Sequence, residues 1–233
     1  MGFGPSASHN WILGSLGADE FRRIEPHLKL VRNQLAEVLL HPGDPIDYLY
    51  FPETAMASAM GTTLDGGTAE IGLIGFEGVV GVSRLLGSST QPNEINIQMP
   101  GHGAALPAEI AEDEFARGGA FQRAVLRFVD QLLVQLGRTA VCNVIHGLER
   151  RLARWLLMCH DRSADDTLDL TQEFLSLMVG VTRQSVSGAA RFLQDGRVIQ
   201  YSRGRINILD RAGLERFACD CYQVMALDRF RGR

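Results

Sequence analysis

Lysine is almost missing from this chain: Lys29 is the only one among 23 basic residues. An arginine preference of this kind can reflect codon usage, so by itself it says nothing about phosphate. Cysteine is absent before residue 142, and the four present (142, 159, 219 and 221) have spacings that fit no disulfide framework. No apolar run approaches the roughly 18–20 residues needed to cross a bilayer. Met1–Leu16 has no basic n-region and only scattered apolar content, so it does not read as a secretory signal. The expected compartment is the cytoplasm.

Catalytic constellations are also lacking. The sequence offers no nucleophile–base pair, so an enzyme is not expected. A metal enzyme would need clustered histidines and acids, and His41 and His102 are isolated. His9, His27, His146 and His160 follow no haem-ligand pattern either. Cys219-Asp220-Cys221 supplies two sulfurs without the further ligands that a zinc site needs. No metal is expected.

What is present suffices for two domains. The chain has 233 residues, 45% of them hydrophobic, which exceeds the usual size of one domain. Its net charge of −4 hides an asymmetry: from His146 onward 14 Arg face 11 acids, a balance of +3 that leaves −7 for the rest. Leu170–Arg211 alone holds six Arg and three acids.

Residues from about Leu28 to Leu106 read as β. The short apolar segments Ala36–Leu40, Tyr48–Phe51, Ala57–Met60, Glu70–Ile74 and Ile95–Met99 are separated by Gly- and Pro-containing turns. Turns this frequent, without a helical period between them, point to an antiparallel sandwich, roll or barrel. Asp19–Leu28 reads as a small leading helix, and Glu109–Glu114 begins another helical stretch.

From Ala120 to Asn143 the period becomes helical. Val125, Val129, Leu132, Leu136, Thr139 and Asn143 recur at alternating spacings of four and three, the a/d seam of a coiled coil, over roughly 36 Å at about 1.5 Å per residue. We expect this stripe to form a homodimer interface, with Phe128, Leu133 and Val141 serving the intramolecular side. Gly137 interrupts the seam. Leu148–His160 follows as an amphipathic helix with Leu148, Leu152, Trp155, Leu156 and Cys159 on one face and Arg150, Arg151 and Arg154 elsewhere. Ser163–Asp169 reads as a polar, acidic loop.

Leu170–Leu209 carries the functional signal: two short helical patterns around Val-Gly-Val, then a hairpin with a basic tip. Thr171 is placed to cap a first helix with Phe174, Leu177 and Met178 on its buried face. Gly180 falls in the turn, and Thr182 is placed to cap a second helix. Val186, Ala189, Ala190 and Leu193 cluster on one side of that helix, the small alanines allowing close helix packing. The other side presents Gln184, Gly188, Arg191 and Asp195, flanked by Arg183, Ser185 and Ser187. The N-terminal turn of such a helix enters the major groove. There Arg183 suits guanine, Gln184 suits adenine, and the serines reach phosphate or bases. Arg203 and Arg205 at the hairpin tip suit backbone phosphate. A helical hairpin that docks a protein and serves a ligand-binding module is the alternative reading.

The order of these parts resembles the Crp/Fnr family of bacterial transcription regulators, over nearly the whole chain. Val179-Gly180-Val181-Thr182-Arg183-Gln184-Ser185-Val186-Ser187 is similar to the family's V-G-x-S/T-R-x-x-V-S/G core. Pro42-Gly43-Asp44 and Ala120–Asn143 match its β-roll and dimer helix. The resemblance implies an α+β fold with an antiparallel β-roll sensor over 1–118, a dimerisation helix over 119–145 and a winged helix-turn-helix over 146–233. It implies a homodimer on a near-palindromic DNA site with half-sites roughly 34 Å apart, and RNA polymerase as a partner. Arg183 falls at the family's guanine-reading arginine and Gln184 at a second base-reading position. Gly188 stands where cAMP-dependent members keep another base-contacting Arg, so a different half-site is expected.

The sensor departs from the cyclic-nucleotide pattern. Aligned on the resemblance, the ribose-binding Gly-Glu becomes Gly81-Val82, the phosphate-binding Arg-Ser falls near Asn93-Glu94, and the adenine-reading hydroxyl pair becomes Leu136-Gly137. A cyclic phosphate needs a cation and donors there, so cAMP bound in the family's usual way is not expected. Nor is an iron–sulfur cluster on N-terminal cysteines. The effector stays unidentified.

Overall fold

The N-terminal half alternates β-branched and apolar segments with Gly- and Pro-containing turns, and it folds as that pattern requires. The computed structural model describes residues 8–227; the first residues of Met1–Leu16 and the last six of the chain lie outside them. Two helices lead, α1 (Trp11–Gly14) and α2 (Ala18–Ile24), the latter continuing as a 3-10 turn over Glu25–His27. Seven strands follow: β1 (Lys29–Asn33), β2 (Val38–Leu40), β3 (Tyr48–Pro52), β4 (Met56–Thr62), β5 (Thr68–Ile74), β6 (Glu94–Met99) and β7 (Gly101–Pro107). They form two sheets, β1-β7-β3 and β2-β6-β4-β5. The first is antiparallel throughout, pairing Lys29 with Ala105 and Tyr50 with the same Ala105 from the other side. This is the expected β-roll.

Then come α3 (Ala108–Ala116), α4 (Gly119–Ile145) and α5 (Leu148–His160), the last with the bounds its amphipathic period implied. The C-terminal part adds β8 (Thr167–Asp169), α6 (Gln172–Val179), α7 (Arg183–Asp195), β9 (Ile199–Ser202), β10 (Arg205–Ile208), α8 (Arg211–Phe217) and α9 (Cys221–Met225). Ser163–Asp169 is therefore not wholly loop. Its end pairs with β10 in a three-stranded sheet ordered β8-β10-β9, which satisfies the backbone of an acidic segment.

Two compact units result, one holding the chain up to Met60 together with Leu73–Leu132, the other Gly61–Gly72 together with the chain from Leu133. The division falls inside α4. In the first unit Phe51 and Phe121 are fully buried with ring centroids 6.3 Å apart. Gly78 lies directly under Phe128 of α4: a Cβ there would stand 2.2 Å from the ring. Glu20 of α2 accepts from the N–H groups of Ala120 (2.6 Å) and Phe121 (3.4 Å), capping donors that the start of α4 leaves unpaired. Burial opposes the Glu20 charge, but these bonds and that from Gly17 outweigh it and hold the carboxyl below its ordinary value.

In the second unit α5 is the central element. Leu152, Trp155, Leu156 and Cys159 are buried as expected, but so is Arg154, at 5% exposure. The Trp155 indole donates to the buried Glu70 carboxylate at 2.8 Å, and Arg151 donates to the Val179 carbonyl at 2.6 Å. No helix among the described residues is long and apolar enough to cross a membrane.

Candidate nucleic-acid interface

Helix α6 is capped by Thr171, whose hydroxyl accepts from Phe174 N–H at 3.2 Å. Its buried residues are Leu175, Met178 and Val179. Leu177, expected inside, is exposed, and Phe174 is only half-buried, so the buried face is turned by about one residue from the expected one. Gly180 ends the helix at φ +67, a left-handed conformation that costs a glycine nothing.

Thr182 caps α7, accepting from Ser185 N–H at 3.2 Å. Val186, Ala189, Ala190 and Leu193 are all buried, as the 3.6-residue period predicts. Arg183, Gln184, Ser185, Gly188 and Arg191 are exposed on the other side. A Cβ at Gly188 would meet nothing within 4 Å, so no steric demand of this chain requires glycine there. Arg183 is held in an ion pair with Glu173 of α6. The Ser187 hydroxyl donates to the Arg183 carbonyl at 2.9 Å, and the Ser185 and Thr182 hydroxyls are 2.9 Å apart, so these groups serve the helix itself.

The wing turns at Arg203 (φ +50) and Gly204 (φ +78), the two-residue tip of a tight hairpin. Arg203 and Arg205 are exposed, Arg205 lying 3.2 Å from Asp169. Thr171 adjoins this tip, close to Gly204.

Residues 150–217 match the Crp-like helix-turn-helix domain. The chain thus carries a Crp-like helix-turn-helix domain, and its fold is similar to that of Crp/Fnr-family regulators. FixK2 from Bradyrhizobium japonicum is similar in fold, with a TM-score of 0.70 at 14% identity over 82% of this chain and 98% of that one. A Crp/Fnr-family transcriptional regulator from Thermus thermophilus gives 0.67 at 20% identity over 82% and 98%. The c-di-GMP responsive global regulator CLP of Xanthomonas campestris gives 0.66 at 18% identity over 82% and 99%. No curated protein matches the chain by sequence.

Helix α4 corrects one expectation. Val125 belongs to the core of its own unit at 0% exposure, beside Phe121 and Phe128. Leu133 and Val141, assigned to the intramolecular side, are exposed instead. Val129, Leu132, Leu136 and Thr139 are half-buried and Asn143 is exposed. The outward apolar stripe is Leu126, Val129, Leu133, Leu136, Ala140 and Val144, with Leu133 at 63% and Val144 at 86% exposure. Gln131 and Gln135 are buried, so polar residues occupy inward positions and the apolar pattern misled by one residue.

The residues assigned to the effector pocket lie on three elements. Gly81 and Val82 open a 3-10 turn over Val82–Leu86, and Asn93 and Glu94 lie at the start of β6, with Glu94 3.8 Å from His41. Leu136 and Gly137 lie on the portion of α4 that belongs to the second unit. The first unit has its own cleft of about 450 Å³, lined by Val31, Asp44, Asp47, Tyr48, Tyr50 and Val80 among others, with no Lys or Arg in its wall.

One grouping was missed in the sequence. Cys142, His146, Cys219 and Cys221 converge, their ligand atoms all within 4.8 Å of one another. The two further ligands that Cys219-Asp220-Cys221 lacked are thus supplied from the end of α4. The signal was the i, i+4 spacing of Cys142 and His146 on one helix face. A hydrogen bond from Cys219 holds the Cys142 thiol down to about 7 against the effect of burial, while the same contact pushes Cys219 up.

Proposed function

We propose that the chain regulates transcription as a homodimer that binds a near-palindromic DNA site, reading each half-site with α7. The observation that carries this is the division of α7 into two faces. One side is fully buried through Val186, Ala189, Ala190 and Leu193, and the other presents Arg183, Gln184 and Arg191 from its N-terminal turn onward. Arg183 supplies a bidentate donor for guanine and Gln184 a pair of bonds for adenine. Gly188 contributes no side chain, so the half-site differs from that of members with arginine there. Arg203 and Arg205 on the wing, with Thr171 beside them, hold phosphate and set the register. RNA polymerase is the partner such a regulator acts on.

The dimer reading is supported by the outward stripe of α4, whose apolar side chains recur at spacings of three, four, three, four and four. For the effector, a cyclic nucleotide is disfavoured by charge. Asp44 and Asp47 wall the cleft of the first unit, whose lining holds no Lys or Arg, and carboxylates repel a phosphate.

Selection of bound sequences from a random DNA pool tests the proposal. Wild-type protein should enrich a two-fold symmetric motif, and Arg183→Ala should lose preference at one base pair of each half-site while staying dimeric. Unchanged enrichment by the Arg183→Ala protein, or salt-insensitive retention without any motif, would overturn it.

A further inference from the structure

The end of α4 and the corner between α8 and α9 hold a constellation that DNA reading does not use. Cys142 sits in the last turn of α4 and His146 one residue past its end, where the His146 N–H still bonds to the Cys142 carbonyl at 3.0 Å. Their side chains therefore leave the same face. Cys219 and Cys221 flank Asp220, the residue that precedes α9. Cys142 Sγ lies 3.4 Å from Cys219 Sγ, and Cys221 Sγ lies 3.7 Å from His146 Nδ1. The three thiols are buried and the imidazole partly so. All four residues belong to the second unit.

We propose that Cys142, His146, Cys219 and Cys221 form a tetrahedral site for one zinc ion. Three sulfurs and one imidazole make one of the closed donor sets of structural zinc, and soft thiolates disfavour magnesium and calcium. With Zn–S about 2.3 Å and Zn–N about 2.0–2.1 Å, a tetrahedron has donor–donor edges of about 3.6–3.8 Å. The sulfur–nitrogen edge falls within that range and the sulfur–sulfur edge just below it, and no pair exceeds 4.8 Å. A cluster of several irons would hold its ligands further apart.

The surroundings fit a loaded site. His146 Nε2 lies 3.6 Å from Asp220 Oδ1, so a carboxylate stands behind the ring and leaves Nδ1 to face the thiols. That is how metal-binding histidines are commonly oriented. Three thiolates around a divalent ion carry one net negative charge. Arg154, buried and with an Nε that meets no acceptor among the described residues, exerts its positive charge on both Cys142 and Cys219. A buried guanidinium is costly without an opposing charge, and the loaded site supplies one. Bound zinc would pin the last turn of α4 to α9.

The test uses the full chain purified under reductant. Metal analysis should find about one zinc per chain, and replacement by Co²⁺ should give the sulfur-to-metal charge-transfer and intense d–d bands of a tetrahedral thiolate site. Cys221→Ser and His146→Ala should each weaken Co²⁺ binding by more than about 100-fold, and Asp220→Asn by about 10-fold. Cys159→Ser, a buried cysteine outside the group, should leave the spectrum unchanged. Because Asp220 is exposed, its variant keeps the test valid if a cysteine variant fails to fold. The proposal is overturned if reduced wild-type protein gives no tetrahedral thiolate spectrum, or if the spectrum survives both His146→Ala and Cys221→Ser. It is also overturned if the cysteines react with a thiol reagent equally fast with and without Zn²⁺, or if Cys142 and Cys219 are recovered as a disulfide that added Zn²⁺ does not displace under reductant.

Discussion

Arg183 and Glu173 form an ion pair across the helix-turn-helix, joining the first turn of α7 to the first turn of α6. Both side chains are well exposed, so the pair contributes at most about 1 kcal/mol. It nonetheless occupies the group proposed to read guanine, and DNA must displace the carboxylate. Glu173→Gln should therefore tighten binding to the selected site by up to about 5-fold, the ratio equivalent to about 1 kcal/mol. Fluorescence anisotropy titration at fixed salt checks this. Equal or weaker binding would show that Glu173 positions Arg183 instead of competing for it.

The corrected stripe on α4 separates two substitutions on different faces of one helix. Leu133→Asp places a charge on the outward face and should yield monomers in analytical ultracentrifugation without loss of helix content. Val125→Ala removes two methyl groups from a fully buried site and should destabilise its own unit by about 2 kcal/mol in urea, with the dimer dissociation constant unchanged. The reverse pattern would restore the seam read from sequence.

Gly78 and Phe128 are packed too closely for any added atom. Gly78→Ala should cost about 1–3 kcal/mol through overpacking. Adding Phe128→Leu should recover part of that loss, since the smaller side chain makes room. Additive costs in the double-mutant cycle would mean that the methyl group clashes elsewhere.

The Glu20 carboxyl titrates below its ordinary value of 4.5 because the folded chain bonds to its charged form. A depressed carboxyl contributes stability that is present above its unfolded pKa and is lost as pH falls through the folded one. Wild-type protein should therefore lose this contribution as pH drops below about 4.5, whereas Glu20→Gln should lack it at neutral pH and lose less on acidification. Paired thermal melts at pH 7 and pH 4 read the difference.

Sequence periodicity resolved some elements well. Leu148–His160 kept its bounds because one strongly apolar face leaves no competing phase. Val186, Ala189, Ala190 and Leu193 were found by the same logic, and the caps Thr171 and Thr182 by their chemistry. Helix α4 was legible as a helix but not in phase: it carries apolar residues on two faces, and the buried Gln131 and Gln135 interrupt the inward one. Arg154 defied the pattern because charged residues are placed outside by default, while its surroundings include the thiols of Cys142 and Cys219. Those thiols were not legible as a group because 77 residues separate Cys142 from Cys219. No local spacing rule spans that distance. Thr167–Asp169 was hidden by composition, since its strand state depends on the ladder to β10 and not on its own residues.

The hydrogen bond from Trp155 to Glu70 has an optical consequence. The chain has two tryptophans, and each compact unit holds one: Trp11 edge-on to Phe76 at 5.4 Å in the first, Trp155 buried against a carboxylate in the second. An indole whose N–H is bound to a buried carboxylate emits differently from one packed edge-on against a phenyl ring. Trp11→Phe and Trp155→Phe would thus give two proteins of single emission, each reporting on one unit with no dye attached. Titrating effector candidates into one and DNA into the other would make the protein its own instrument.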